Sequence, residues 1–210
     1  MIFSIITAIT AIVAIFLTGY QIYISNKQYL FDKKIKVYVI CKGLFELYEQ
    51  NKSLLETNHT ENSSIYVDFN FVLLTNNSYL KDITDIIKDT QNYDMKIKFL
   101  LKIEEIKNIA LEIKLLFKGE SGKMISKFIY NFSDLLLQMY KYQIIVEKMH
   151  DFNKEKSHKK TFEELQSIWG ELNHRKELYE KYNQIKNSYN NITSNKIISK
   201  IEKRLDCKYN

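Results

Sequence analysis

The sequence predicts an all-α protein: an N-terminal transmembrane helix followed by a cytoplasmic bundle of long helices, two of which form an antiparallel helical hairpin. Three observations carry this. The chain has no proline and only five glycines in 210 residues, where about ten prolines are usual, so the turn chemistry of sandwiches and barrels is missing. No charged side chain occurs from Met1 to Asn26. Beyond that point, apolar residues recur at intervals of three and four, the period of one helix face.

The first segment is the anchor. Ile2 to Ile24 is mostly Ile, Ala, Phe, Leu, Val and Thr, and such a stretch spans about 35 Å as a helix, enough to cross a bilayer with some tilt. A secretory signal peptide is the competing reading. It needs a basic n-region, which is absent, and a small-residue cleavage site, for which Thr10-Ala11 to Ala14 is a poor match. Residues 1–26 are therefore expected to be a retained transmembrane anchor and residues 27–210 a single cytoplasmic domain. Orientation follows from the flanks: Lys27, Lys33, Lys34 and Lys36 follow the span, opposed only by Asp32, and none precedes it. The positive-inside rule then places the N-terminus outside and the domain in the cytoplasm of a bacterial inner membrane. Tyr20, Tyr23 and Tyr29 stand where an interfacial aromatic belt belongs. A cytoplasmic domain also leaves Cys41 and Cys207 as free thiols and makes the sequon Asn58-His59-Thr60 irrelevant.

Within the anchor, alternate steps of three and four connect Ser4, Thr7, Ala11, Ala14, Thr18, Gln21, Ser25, Gln28 and Asp32. All are small or polar, while Ile5, Ile9, Ile12, Val13, Ile15, Phe16 and Leu17 cover the remaining surface. Helices in lipid associate through small residues that admit close backbone approach and through polar groups that bond across the contact. The seam is therefore expected to drive homo-oligomerisation. A ring would turn Thr18, Gln21, Ser25, Gln28 and Asp32 toward a wet axis. The plainer alternative is that small residues are tolerated anywhere in a span and that Gln28 and Asp32 are simply solvated.

The domain is read as follows. The first helix runs to about Glu56, with Phe31, Ile35, Tyr38, Phe45 and Tyr48 on one face, unless Ser25-Asn26 hinges it. Residues 57–63 are a loop. Residues 64–91 form one or two helices carrying Ile65, Phe69, Val72, Leu73, Leu80, Ile83, Ile86 and Ile87, interrupted near Asn76-Asn77, with a strand over Ile65–Thr75 as the alternative. Phe99, Ile103, Ile106, Ala110, Ile113 and Phe117 mark one long helix. Ile125, Phe128, Phe132, Leu135, Met139, Tyr142, Val146 and Met149 mark the next, and Gly119 and Gly122 turn the chain between them into a hairpin. Residues 153–160 are a basic linker. Thr161 and Glu164 form a capping box for a helix carrying Phe162, Leu165, Trp169, Leu172, Tyr179, Tyr182 and Ile185. A last helix, about 194–208, sets Ile197, Ile198, Ile201 and Leu205 opposite Lys196, Lys200, Lys203, Arg204 and Lys208. Basic amphipathic helices lie on membrane surfaces, so this face is a candidate for lipid as well as for plain solvation.

No catalytic constellation emerges. Gly119-Glu120-Ser121-Gly122-Lys123 resembles the end of a phosphate loop, but Phe117 and Met124 occupy required Gly and Ser/Thr positions, and a helix precedes it instead of a strand. His59, His150, His158 and His174 lack metal-ligand spacing. No cofactor or metal is expected, nor enzyme activity. Lysine outnumbers arginine 29 to 2 within a net charge of +6, which disfavours planar guanidinium recognition of nucleic acid.

An anchor, a self-association seam and a helical bundle together resemble the small membrane accessory proteins of RNA-targeting type VI CRISPR systems and other membrane effectors of phage defence. The resemblance is one of architecture over the whole chain. It implies a membrane-perturbing or pore-forming effector, gated by what the bundle binds. The Arg-then-His signature of HEPN ribonucleases is missing, since neither Arg175 nor Arg204 has a His downstream. Two alternatives come from other classes: a passive tether or scaffold that recruits a cytoplasmic protein, and an RNA-binding, HEPN-like bundle.

Overall fold

A computed structural model describes residues 2–57, 67–154 and 160–206. Every element in this range is helical, in the order α1 (Ile2–Thr57), α2 (Val67–Thr75), a 3-10 helix (Lys81–Ile87), α3 (Tyr93–Leu116), α4 (Glu120–Lys154), α5 (Phe162–Trp169), α6 (Glu171–Ser194) and α7 (Ile197–Asp206). The expected loop at 58–63, Ile65, linker residues 155–159, Cys207 and Lys208 lie outside the described residues.

The first helix is continuous through Ser25-Asn26 and across the boundary at residue 26. Its 56 residues make a rod of about 84 Å. From Phe3 to Leu30 every described side chain is exposed, and the first buried one is Val37. The C-terminal part of α1 therefore belongs to the bundle, and the N-terminal part stands clear of it.

The bundle core is one contiguous cluster. Its centre is α4, whose two flanks are both buried: Phe128, Phe132, Leu135 and Met139 on one, Ile129, Leu136 and Tyr140 on the other. The 4-3 spacing identified only the first flank. The second exists because α4 packs on α3 and α6 at once, so a helix surrounded on two sides buries more than a single stripe. Along α3, Phe99 stacks against Tyr140 at 4.8 Å between ring centroids, Lys107 pairs with Asp134 at 3.1 Å, and Gly122 lies against the Phe117 carbonyl.

Several expected faces are rotated. On α1 the expected Tyr38, Phe45 and Tyr48 are buried, together with Val37, Cys41, Leu44, Leu47 and Leu55, while Ile35 is exposed and Phe31 half-buried. On α2, which is a helix and not a strand, Phe71 and Leu74 are buried and Phe69 is exposed. Val146 is exposed at the far end of α4. The expected single helix after Thr161 is two helices. Gly170 adopts a left-handed φ of 62°, ending α5 and starting α6. The kink leaves Phe162 and Leu172 exposed and Trp169 half-buried, and hands the core to Leu178, Tyr182, Ile185, Tyr189 and Ile192. The Thr161–Glu164 capping box is present with both bonds made.

Candidate functional site

Three regions of the molecule carry unspent chemistry: the projecting half of α1, the bundle end from which it emerges, and the opposite end.

The projecting half is the one described helix long and apolar enough to cross a membrane, and none of its most apolar window is buried. That exposure separates it from the core helix of a soluble bundle. Its threonines are already satisfied within the helix: Thr7 Oγ1 donates to the Phe3 carbonyl at 2.8 Å and Thr18 Oγ1 to that of Ala14 at 2.8 Å. Thr7, Ala11, Ala14, Thr18, Gln21, Ser25, Gln28 and Asp32 are all exposed, and Ser4 lies on the same helix with its side chain outside the described set. The seam keeps its free face into the bundle. At about 100° per residue, its continuation through Ile35 and Val39 lies on the side of α1 opposite Val37, Cys41, Leu44 and Tyr48. Val39 is correspondingly 59% exposed.

At the junction, Tyr20, Tyr23, Lys27, Tyr29 and Lys36 are exposed. Lys33 and Lys34 are different. The first pairs with Glu112 of α3 at 3.3 Å, and the second lines a groove of about 890 Å³ between α1, the end of α3 and the end of α7. Leu30, Leu115, Phe117 and Leu205 form its floor, and Lys34, Lys118, Lys203 and Arg204 line it with charge; among the described lining residues there is no carboxylate. The last helix is held there by Glu202, which accepts from Lys42 Nζ at 2.7 Å and from the Tyr38 hydroxyl at 2.9 Å. Those two donors hold the Glu202 carboxyl below its usual range. Of the expected basic face, Lys200, Lys203 and Arg204 are exposed on α7. Lys196 precedes the helix in a left-handed conformation, φ 51°.

The opposite end holds a cluster that sequence spacing missed. Glu171, 1% exposed, receives Arg175 Nε at 2.8 Å and Nη2 at 3.0 Å, the Gln166 amide at 2.9 Å, and the Tyr142 hydroxyl. Burial, followed by the bond to Glu171, pushes the Tyr142 phenol well above its ordinary value. The cluster backs a pocket of about 290 Å³ lined also by Val146, Met149, His150 and Phe162. Glu171 adjoins Gly170 at the start of α6, so its burial depends on the Gly170 kink and has no periodic signature.

Among the described residues, no group of three or more His, Cys, Asp or Glu is placed to hold a metal ion. No protein-family description, curated protein or solved structure matches this chain.

Proposed function

We propose that the chain is a single-pass inner-membrane protein, with the bundle on the cytoplasmic face, that self-assembles through the α1 seam and acts as a membrane-perturbing or pore-forming effector, as in antiviral defence. The observation that carries this reading is the projecting half of α1. Some 30 residues stand clear of the core, and their uncharged apolar part, Ile2 to Ile24, makes about 35 Å of helix. Soluble monomers rarely expose more than a few hundred Å² of contiguous apolar surface. Lipid matches the length and the lack of charge.

Assembly is supported by where the seam lies. Because the bundle hangs from the opposite side of α1, copies can meet along the seam without their bundles colliding. With the Thr7 and Thr18 hydroxyls bonded to their own helix, the association is left to close backbone approach at Ala11 and Ala14 and to the Gln21 and Gln28 amides. In this reading α3 and α4 form an antiparallel hairpin that stiffens the bundle as the gate.

The test is the mass of the full-length protein in mild detergent beside Ala11→Leu/Ala14→Leu and a lipid-face control, Val13→Leu. A discrete oligomer in the wild type and control that falls to monomer in the seam variant is the expected result. A monomeric wild type removes the pore. The tether reading then takes its place, favoured by the apolar pocket beside Tyr142 and Phe162 at the end of the bundle remote from α1's projecting half, where a cytoplasmic partner has room to dock.

A further inference from the structure

We infer that the groove between α1, α3 and α7 binds the headgroup and upper acyl chain of an anionic phospholipid from the bilayer that α1 crosses. This rests on the transmembrane reading of α1. The groove lies at the end of the bundle facing that bilayer, one to three helical turns beyond Ile24. Its floor is apolar, and Leu115 is 69% exposed with Leu30 at 45%, an arrangement that is unfavourable in water and suited to acyl chain.

The charged residues among its described lining are all basic. Lys34, Lys118, Lys203 and Arg204 converge from α1, from the α3–α4 junction and from α7. Basic groups close to an anionic leaflet each strengthen attraction to it by about fivefold. Exposed Lys118, Lys203 and Arg204 also have the reach to place charge at phosphate depth while their stems lie on apolar surface. A free phosphate would satisfy the cations but not the floor, which is why the occupant is a lipid. Tyr38, Lys42 and Glu202 lie just behind the groove and fix the α7 wall, so the site is built into the fold.

The experiment uses full-length protein in phosphatidylcholine vesicles with and without phosphatidylglycerol, followed by native mass spectrometry of the extracted protein and its retained lipid. Lys118→Gln/Lys203→Gln/Arg204→Gln is compared with an equally charged control at the far end, Lys98→Gln/Lys141→Gln/Lys176→Gln. We expect retained phosphatidylglycerol to exceed phosphatidylcholine, and to fall by about a hundredfold in the groove variant, about fivefold for each of its three charges, but not in the control. Leu115→Asn is expected to weaken retention as well, and millimolar inorganic phosphate to leave it unchanged. Equal retention of the two lipids, or an unaffected groove variant, overturns the inference while leaving the anchor intact. Competition by phosphate with no effect of Leu115→Asn overturns it in favour of a soluble anion. Release of the protein from vesicles by alkaline carbonate removes the anchor, and the lipid site with it.

Discussion

The Tyr38 hydroxyl donates to the Glu202 carboxylate at 2.9 Å, joining positions 164 residues apart. With Lys42 on the same oxygen at 2.7 Å, this bond sets the position of α7 on α1, and so the position of Lys203 and Arg204 in the groove.

The first prediction is an acid-sensitive α7. Lys42 and then Tyr38 depress the Glu202 carboxyl, so its contribution is full above the unfolded value, about 4.3, and is lost as pH falls through the lower folded value. The group is over a third exposed, so solvent limits the contribution to about 0.5–1 kcal/mol. Protection factors across 197–206, with the intrinsic pH dependence of exchange divided out, should fall between about pH 5 and 3 (on the order of the carboxylate range), and Glu202→Gln should abolish that pH step. An unchanged step in the variant would assign it elsewhere.

Alkali should loosen the whole bundle. Burial pushes the Cys41 thiol up to about 12, and burial likewise raises the phenols of Tyr38, Tyr142 and Tyr182. Each group is favoured neutral in the folded chain. Its stabilisation is present below the unfolded values, about 8.5 for Cys and 10 for Tyr, and is lost as pH rises toward the folded ones. Thermal midpoints should therefore fall steeply above about pH 9. At neutral pH Cys41 should resist alkylation until unfolding, scored by peptide mapping in a Cys207→Ser background. Rapid native alkylation would mean that α1 separates from the bundle without global unfolding.

Glycine at position 122 is compulsory. A Cβ there would sit 1.9 Å from the Phe117 carbonyl oxygen, a backbone atom that cannot swing aside. Gly122→Ala should lose about 1–3 kcal/mol, the range of overpacking and backbone strain. Gly43, whose Cβ would meet nothing within 4 Å, is the control: Gly43→Ala should be neutral or slightly stabilising inside its helix. Equal thermal midpoints for the two variants would contradict this packing.

The Glu171–Arg175 pair should be sensitive to removal of one partner. Glu171→Ala leaves the Arg175 guanidinium and the Tyr142 hydroxyl facing an apolar pocket, and breaking such a buried pair costs about 3–5 kcal/mol. Glu171→Leu/Arg175→Met should recover much of this loss, because the desolvation of both charges disappears with them. A double variant no better than Glu171→Ala would show that the cost lies in the Gln166 amide and the Tyr142 hydroxyl, which both lose Glu171 as their acceptor.

Legibility divides along physical lines. The stripes Phe99–Phe117 and Ile125–Met149 were readable because a long helix buried against neighbours repeats its pattern over many turns. The α1 stripe was readable at Tyr38, Phe45 and Tyr48 but not at its start, because Phe31 and Ile35 look like core residues yet lie on the flank next to the seam. The split at Gly170 was missed because one glycine in a helical pattern is usually tolerated. Neither the groove nor the Glu171 cluster had any local signature. Both are assembled from elements far apart in the chain, as when Lys34 meets Lys118 and Arg204.

The seam itself makes a geometric prediction. From Ser4 to Asp32 its eight steps cover 28 residues, about 3.5 per turn, whereas a straight α-helix has about 3.6 and drifts about 20° per heptad. Over this length the stripe wanders by about 80°, so straight helices can share only part of it. Helices in contact along the entire seam must supercoil left-handed. Single cysteines placed from Ala11 to Val39 in a Cys41→Ala/Cys207→Ser chain, oxidised in membranes, distinguish the cases. Supercoiled assembly predicts strong dimers at Ala11, Ala14, Thr18, Gln21, Ser25, Gln28 and Asp32, continuing to Val39, and weak ones at Val13, Phe16 and Ile24. Crosslinks confined to one end of the seam would mean straight helices crossing at a point. Crosslinks with no period would mean that α1 is a solitary anchor.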